Sequence, residues 1–403
     1  MTRFPLLAGA LALTISACTS ADEKPVPAAP PAVEWSKDVA AAAEGNNQFA
    51  LNLYAQLRTQ KGNLFVSPYS VHAALGMTAS GARGTTRDEL LDALHLSKDG
   101  DTALAVGDMG RYYTGRKDVK LSVANAIWAK QGYNWRPEFR DLQEKRFGSG
   151  LKEADFVRQP DAERARINTW LEDQTNKRIK DLLQPAHITP NTTMVLVNAI
   201  YFKGNWKTQF DKKKTRDAVF HTADDKRVDV PMMFADMKCG YARFDDVSMV
   251  ELPYAGGELS MVVLLPRMPD GLPALEKKLT HENLKKWIGD LKDRGSLEIM
   301  LPRFKMETAL DLVPAVKALG VKDAFANADF TGMAEGDRDP ITAIVHKSFV
   351  DVNEEGTEAA AATAVVRADS SFPPPFVANH PFLFLIRDAK KGTILFMGRV
   401  EKP

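Results

Sequence analysis

Cysteine is nearly absent from this chain: Cys18 and Cys239 are the only two in 403 residues. The fold must therefore be held by its core, and if Cys18 is modified no disulfide is possible. Charge of one sign is also lacking, with 53 basic residues against 52 acidic and a net of +1. That balance leaves no electrostatic footprint for nucleic acid, so no such partner is expected. No apolar run reaches the length of a membrane span, and internal repeats are missing. Histidine is sparse, at seven. None stands in H-E-x-x-H or beside a cysteine pair, so no metal or cofactor is expected. Walker loops, G-x-S-x-G and dinucleotide glycine patterns do not occur. Only a triad assembled from distant residues stays open to an enzyme, because a sequence does not display one. What is present is bulk. With 44% hydrophobic residues, the chain can build one large domain or two ordinary ones.

The first seventeen residues read as a targeting segment. Arg3 supplies the positive start, Leu6–Ile15 the short apolar run, and Ile15-Ser16-Ala17-Cys18 a small-residue end. That ending resembles a bacterial lipobox, which implies loss of residues 1–17 as a signal peptide and a lipid on Cys18. The other reading is ordinary secretory cleavage near Ala17, with Cys18 incidental. Residues 18–37 are a Pro/Ala-rich linker. With the lipid it would tether a domain spanning 38–403 to a membrane without crossing it. Thr19 rather than Asp follows the cysteine. By the habit of such lipoproteins this favours the outer membrane, facing the cell surface or the periplasm. Without the lipid, an extracellular protein is expected.

Along the domain, Phe49, Leu53 and Leu57 recur every four residues, predicting a helix over Asp38–Gln60 that Gly62 stops. Ser67-Pro68 reads as an N-cap with a first-turn proline, and Val71, Leu75 and Thr78 form the buried stripe behind it. Lys120–Lys130 alternates as a strand. Ile167–Pro185 reads as an amphipathic helix ended by the proline, and TMVLVNAIYFKGNWKTQF as a buried strand leaving at Gly204. Met249–Tyr254 and Leu259–Pro266 read as strands of a second sheet. SLEIMLPRFKMETALDLVPAVKALGV reads as one strand and then a helix capped by Gly320. Ile341–Asn353 has Ile344, Val350 and Val352 on one face with His346 and Ser348 between them, a strand. FLFLIRDAKKGTILFMGRV closes a hairpin at Lys391-Gly392.

Between those last two lies Glu354–Phe382, EEGTEAAAATAVVRADSSFPPPFVANHPF. Alanine content alone would make Thr357–Val366 a short helix. The flanking strands argue for a loop with a latent strand. Thr357, Ala359, Ala361 and Thr363 share one face; Glu358, Ala360, Ala362 and Ala364 share the other. Residues so small could slide between two strands without clashing with a packed layer.

The segment E-E-G-T-E-A-A-A-A-T resembles the hinge of inhibitory serpins. The likeness extends from Asp38 to the C-terminus and includes N-A-I-Y-F-K-G-N-W, similar to a serpin signature. It implies an α+β serpin fold of three β-sheets and eight or nine helices, with an exposed reactive-centre loop, acting as a monomer. It implies a suicide inhibitor of proteases, serine-type and also cysteine-type. The cleaved loop would enter the main sheet, a transition known for serpins. The hinge would be Glu354, Gly356, Thr357, Glu358, Ala359, Ala360, Ala361, Ala362 and Thr363. Ser67, Ser70, Asn198 and His346 match a polar cluster that holds the sheet's opening point. Trp206 matches the tryptophan where the loop enters. Arg303, in L-P-R-F-K, matches a base that pairs with Glu354; as a surface pair it would contribute about 1 kcal/mol or less. Family loop spacing puts the scissile bond at Ser370-Ser371, suiting an elastase-like or subtilisin-like protease. Asp369 would suit an acid-preferring protease, Arg367 a trypsin-like one and Phe372 a chymotrypsin-like one. A non-inhibitory binding protein and a cleavable decoy are the other readings.

Overall fold

A computed structural model describes residues 33–116, 119–148, 150–356 and 374–403. Residues 1–32, with Cys18, lie outside the described residues. So do Thr357, Glu358, Ala359, Ala360, Ala361, Ala362 and Thr363 of the hinge, and Arg367, Asp369, Ser370, Ser371 and Phe372.

Helix α1 (Lys37–Leu57) starts where Ser36 accepts the Val39 N–H at 3.2 Å. Phe49, Leu53 and Leu57 are its buried stripe, as their spacing predicts. After strand β1 (Leu64–Val66), Ser67 caps α2 (Pro68–Gly81) and Pro68 occupies the first helical position. Nearly every residue of α2 is buried. Helices α3 (Gly84–Ala93) and α4 (Thr102–Thr114) follow.

The main sheet runs in the order β10 (Phe304–Asp311), β11 (Ile341–Val352), β4 (Met194–Lys203), β2 (Lys120–Lys130) and β3 (Leu151–Ala154). Both faces of β4 are covered. Met194, Leu196, Ile200 and Phe202 join the large core that includes α2, while Val195, Val197, Ala199 and Tyr201 join a smaller one under α6 (Pro160–Gln174). Double burial is why β4 reads as an unbroken apolar run. Asn198 is the one exception within its buried stretch, Met194–Phe202.

The second sheet strings together β1, β14 (Ile394–Val400), β13 (Phe382–Asp388), β8 (Leu259–Pro266), β7 (Val247–Pro253), β6 (Arg227–Arg243), β9 (Lys292–Pro302) and β12 (Phe376–Val377), with β5 (Arg216–His221) also on β6. The third expected sheet is the half of it formed by β5, the start of β6, β9 and β12. The long strand β6 joins the halves, leaving β9 for β7 around Gly240-Tyr241. Helices α5 (Pro137–Leu142), α7 (Leu272–Lys278), α8 (His281–Gly289) and α9 (Val313–Ala318) bring the α-helices among the described residues to nine. A π-helical turn, Gln143–Phe147, continues α5.

Two sequence expectations are corrected. Ile167–Pro185 is not one helix: α6 ends at Gln174, and Asn176 and Lys177 adopt left-handed φ of 52° and 59°. Ile179, Leu182 and Leu183 are nonetheless buried in the irregular chain beyond. Asn168 ties that chain down, receiving the Leu183 N–H at 2.8 Å and donating to its carbonyl at 3.0 Å. Nor is SLEIMLPRFKMETALD one strand. Pro302-Arg303 is a crossing, with β9 in the second sheet and β10 in the main one.

Candidate functional site at the open end of a parallel strand pair

β11 and β4 are parallel neighbours, paired from Ile341↔Met194 to Phe349↔Tyr201. Both strands run on past that point, to Val352 and Lys203, still paired to β10 and β2 on their outer sides but no longer to each other. There the chain reverses. The Asn353 N–H donates to the Gly356 carbonyl at 2.9 Å and the Gly356 N–H to the Asn353 carbonyl at 3.2 Å, closing a turn over Glu354-Glu355. Gly356 also bridges to Asn205, just beyond the end of β4. It therefore stands between the extensions of both strands.

Only glycine fits there. Gly356 has φ of 138°, and a Cβ would lie 2.3 Å from the Gly204 carbonyl oxygen and 2.5 Å from Asn205 Cα. Trp206 clamps the turn from outside. Its backbone N–H donates to the Glu355 carbonyl at 3.0 Å and its indole Nε1–H to the Asn353 carbonyl at 2.9 Å. The indole stacks on Tyr254 at 4.6 Å, with 9° between the ring planes.

Glu354 is buried, with a side chain only 2% exposed. Arg303 Nε donates to both of its carboxylate oxygens, at 2.8 and 2.9 Å, Arg303 Nη2 approaches at 2.5 Å, and the Thr215 hydroxyl donates as well. Burial by itself would push this carboxyl up. The bonds from Arg303 and Thr215 outweigh it and hold the group below its ordinary value. The expected surface pair is thus corrected: the acid is inside, and only the arginine, 44% exposed, faces water. The turn's closeness to Trp206 and Phe210, whose N–H donates to the Glu354 carbonyl at 2.9 Å, forces that burial.

Halfway down the same strand pair, a polar row crosses the core face. His346, Asn198 and Asn125 sit at one level of β11, β4 and β2. The Ser67 N–H donates to His346 Nε2 at 3.2 Å, so that nitrogen is unprotonated and Nδ1–H is free to donate to the Asn198 carbonyl oxygen. Asn198 Nδ2 in turn donates to the Ser70 carbonyl at 2.9 Å, to Ser70 Oγ at 2.5 Å and to the Asn125 side-chain oxygen. Ser67 Oγ donates to the Leu395 carbonyl at 2.8 Å. Complete burial pushes the His346 pKa down to about 3, which keeps the ring neutral.

The structure thus brings Ser67, Ser70, Asn198 and His346 together, and separately gathers Glu354, Gly356, Trp206 and Arg303. Asn125, Thr215 and Tyr254 were missed. Asn125 had a faint signal, since it shares a face of β2 with Val123 and Ile127. Thr215 and Tyr254 had none, because each arrives from a chain segment distant in sequence from the turn. Among the described residues no group of His, Cys, Asp and Glu is arranged to hold a metal.

The family model described as Serpin (serine protease inhibitor) matches residues 44–403. Human serpin B8 is 41% identical over 373 residues, spanning 89% of this chain and 99% of its own. The leukocyte elastase inhibitor of Bos taurus is 38% identical, spanning 89% and 98%. The crystal structure of Serpin48, a highly specific serpin of the insect Tenebrio molitor, shares 33% identity with a TM-score of 0.80, over 90% of this chain and 98% of that one. The chain belongs to the serpin family and has its fold. That family is one of protease inhibitors rather than enzymes, and its members act on target proteases.

Proposed function

We propose that this serpin traps its protease by inserting the cleaved loop between β11 and β4. The observation that carries the reading is the closed turn at Asn353–Gly356. Gly356 already lies antiparallel to both Asn353 and Asn205. Stepping on from these bridges puts Thr357 beside Val352 and Gly204, Ala361 beside Ser348 and Ile200, and Thr363 beside His346 and Asn198. Both bridges agree with the existing His346↔Asn198 register. The small residues Thr357, Ala359, Ala361 and Thr363 then face the core, and Glu358 faces outward beside Lys203. One parallel pairing would be exchanged for two antiparallel ones, the stronger kind. About ten residues would gain backbone bonds worth a net of roughly 0.5–1.5 kcal/mol each, on the order of 10 kcal/mol in all. That rivals the stability of an ordinary domain, so the uncleaved fold is held kinetically.

The bond cut is Ser370-Ser371, and the target is a serine protease with a small-residue pocket; similarity to a leukocyte elastase inhibitor supports this preference. Cys18 carries a lipid that tethers the domain to the outer membrane, which fatty-acid labelling lost in Cys18→Ser would verify. Mixing the mature protein with elastase-like and subtilisin-like proteases, followed by denaturing electrophoresis and mass spectrometry of the released peptide, tests the mechanism. A detergent-resistant complex with cleavage after Ser370 is expected. Cleavage after Arg367, Asp369 or Phe372 within such a complex would move the specificity. Complete cleavage with no complex would refute trapping and leave a decoy.

A further inference from the structure

The seam between β11 and β4 is fastened at the end farthest from Gly356. There a bulge interrupts the ladder: Ile341↔Met194 is followed by Ala343↔Val195, which leaves Thr342 as an extra residue on β11. Its hydroxyl crosses the seam and donates to the Met194 carbonyl of β4 at 2.8 Å. Just ahead of β4, the Thr193 hydroxyl crosses in the opposite sense and donates to the Pro340 carbonyl ahead of β11 at 2.6 Å. Lys130, at the end of β2, backs this clasp. Its ammonium meets Asp339 at 2.5 Å, and the Tyr133 hydroxyl donates to the same carboxylate oxygen at 2.5 Å. β4 lies between β2 and β11, so the Lys130–Asp339 pair straddles its start.

We propose that Thr193 and Thr342 form the last clasp that an inserting strand must open, and that this clasp sets the share of captured protease that escapes. The inference rests on the insertion reading above. In that register Val366 comes to lie beside Ala343 and Val195, the partners just inside the clasp. Ser370 is four residues further on, past both hydroxyls. A strand added between two others moves them apart by about 4.8 Å, so neither threonine bond survives full insertion. Until they break, the strand stops near Val366 and the ester between the Ser370 carbonyl and the protease serine stays open to water. Hydrolysis of that ester leaves a free carboxylate on Ser370 and returns the serine hydroxyl, and with it an active protease. Opening the clasp therefore races against hydrolysis. Thr342 is exposed and Thr193 half-buried, so water can take over both bonds as they part.

Thr193→Val combined with Thr342→Val removes both hydroxyls and keeps branched side chains that suit a strand. The readout is the stoichiometry of inhibition, the number of mature molecules consumed per elastase-like protease inactivated. It is taken with the trapped protease that the parent handles least efficiently. The double variant is expected to need at least twofold fewer molecules at an unchanged rate of loop cleavage. A merely structural role would lower the melting temperature and leave the stoichiometry alone; an unchanged or higher stoichiometry overturns the proposal. Val195→Cys with Ala343→Cys makes the converse test, because these residues are direct partners across the seam. The oxidised form, verified by mass, should be cleaved at the parent rate yet give at least tenfold less detergent-resistant complex, and reductant should restore it. Full complex from the oxidised form also overturns the proposal, since trapping would then not need the far end to open. A parent that forms no complex and gains no melting temperature on cleavage refutes insertion itself, and the clasp with it.

Discussion

His346 shows how much one buried ring can govern. Its pKa is about 3 in the fold against 6.5 for an unperturbed histidine, and burial likewise lowers His72 to about 4. Below pH 6.5 the unfolded chain binds protons that these rings refuse, so stability falls as pH falls. We expect the urea midpoint to drop between pH 6.5 and 4, each histidine contributing up to about 1.4 kcal/mol per pH unit. His346→Gln should flatten that slope by about one proton and destabilise by roughly 1–2 kcal/mol at pH 7 through its lost bonds; an unchanged slope would show that the ring titrates normally. Glu354 works at lower pH and in the same direction. Its carboxyl is held below the ordinary 4.5, so the ion pair is intact above that value and lost as pH falls through the folded pKa. Arg303→Ala strands a buried carboxylate on Thr215. It should cost about 2–3 kcal/mol, short of the roughly 3–5 for a fully buried pair because the arginine is half in water. Thermal melting at pH 7 would measure it.

At the scale of elements, the seam between β11 and β4 is where insertion succeeds or fails. Thr363 would meet the neutral His346–Asn198 pair, so Thr363→Arg would bury an unpaired charge there. We expect that variant to be cleaved at the parent rate while its detergent-resistant complex falls at least tenfold. An undiminished complex would mean that this side chain never enters the sheet. The strands were largely legible in the sequence, because β4, β11, β13 and β14 carry clear alternation or unbroken apolar runs between turn residues. The ends of α6 and the break at Arg303 were not. Asn176 tolerates a left-handed backbone, but Lys177 is an ordinary helix residue whose left-handed φ answers to tertiary packing, and Pro302-Arg303 looks like strand on either side. The acid at the hinge could be seen, but not its burial, since Thr215, Phe210 and Trp206 that enclose it lie far away along the chain.

For the molecule as a whole, the proposed mechanism requires the uncleaved protein to be the less stable form. Cutting the loop with a protease that is not trapped should therefore raise the melting temperature by 10 °C or more, since on the order of 10 kcal/mol is released. Calorimetry before and after cleavage decides it. Cys239 is buried and its thiol pushed up to about 12, which makes it inert, so reductant should move neither value. The turn at Gly356 has one more consequence: it makes the loop a ruler with a fixed zero. From that residue to Ser370 an extended chain spans roughly 46 Å at ~3.3 Å per residue. β4, at ten residues, measures only about 33 Å. A protease carried on Ser370 would travel beyond the far rim of the sheet, whereas one that cut at Arg367 would stop about 10 Å short of that position. Where the loop is cut would then set how hard the captive is pressed, and specificity would be measured in length as well as in side chains.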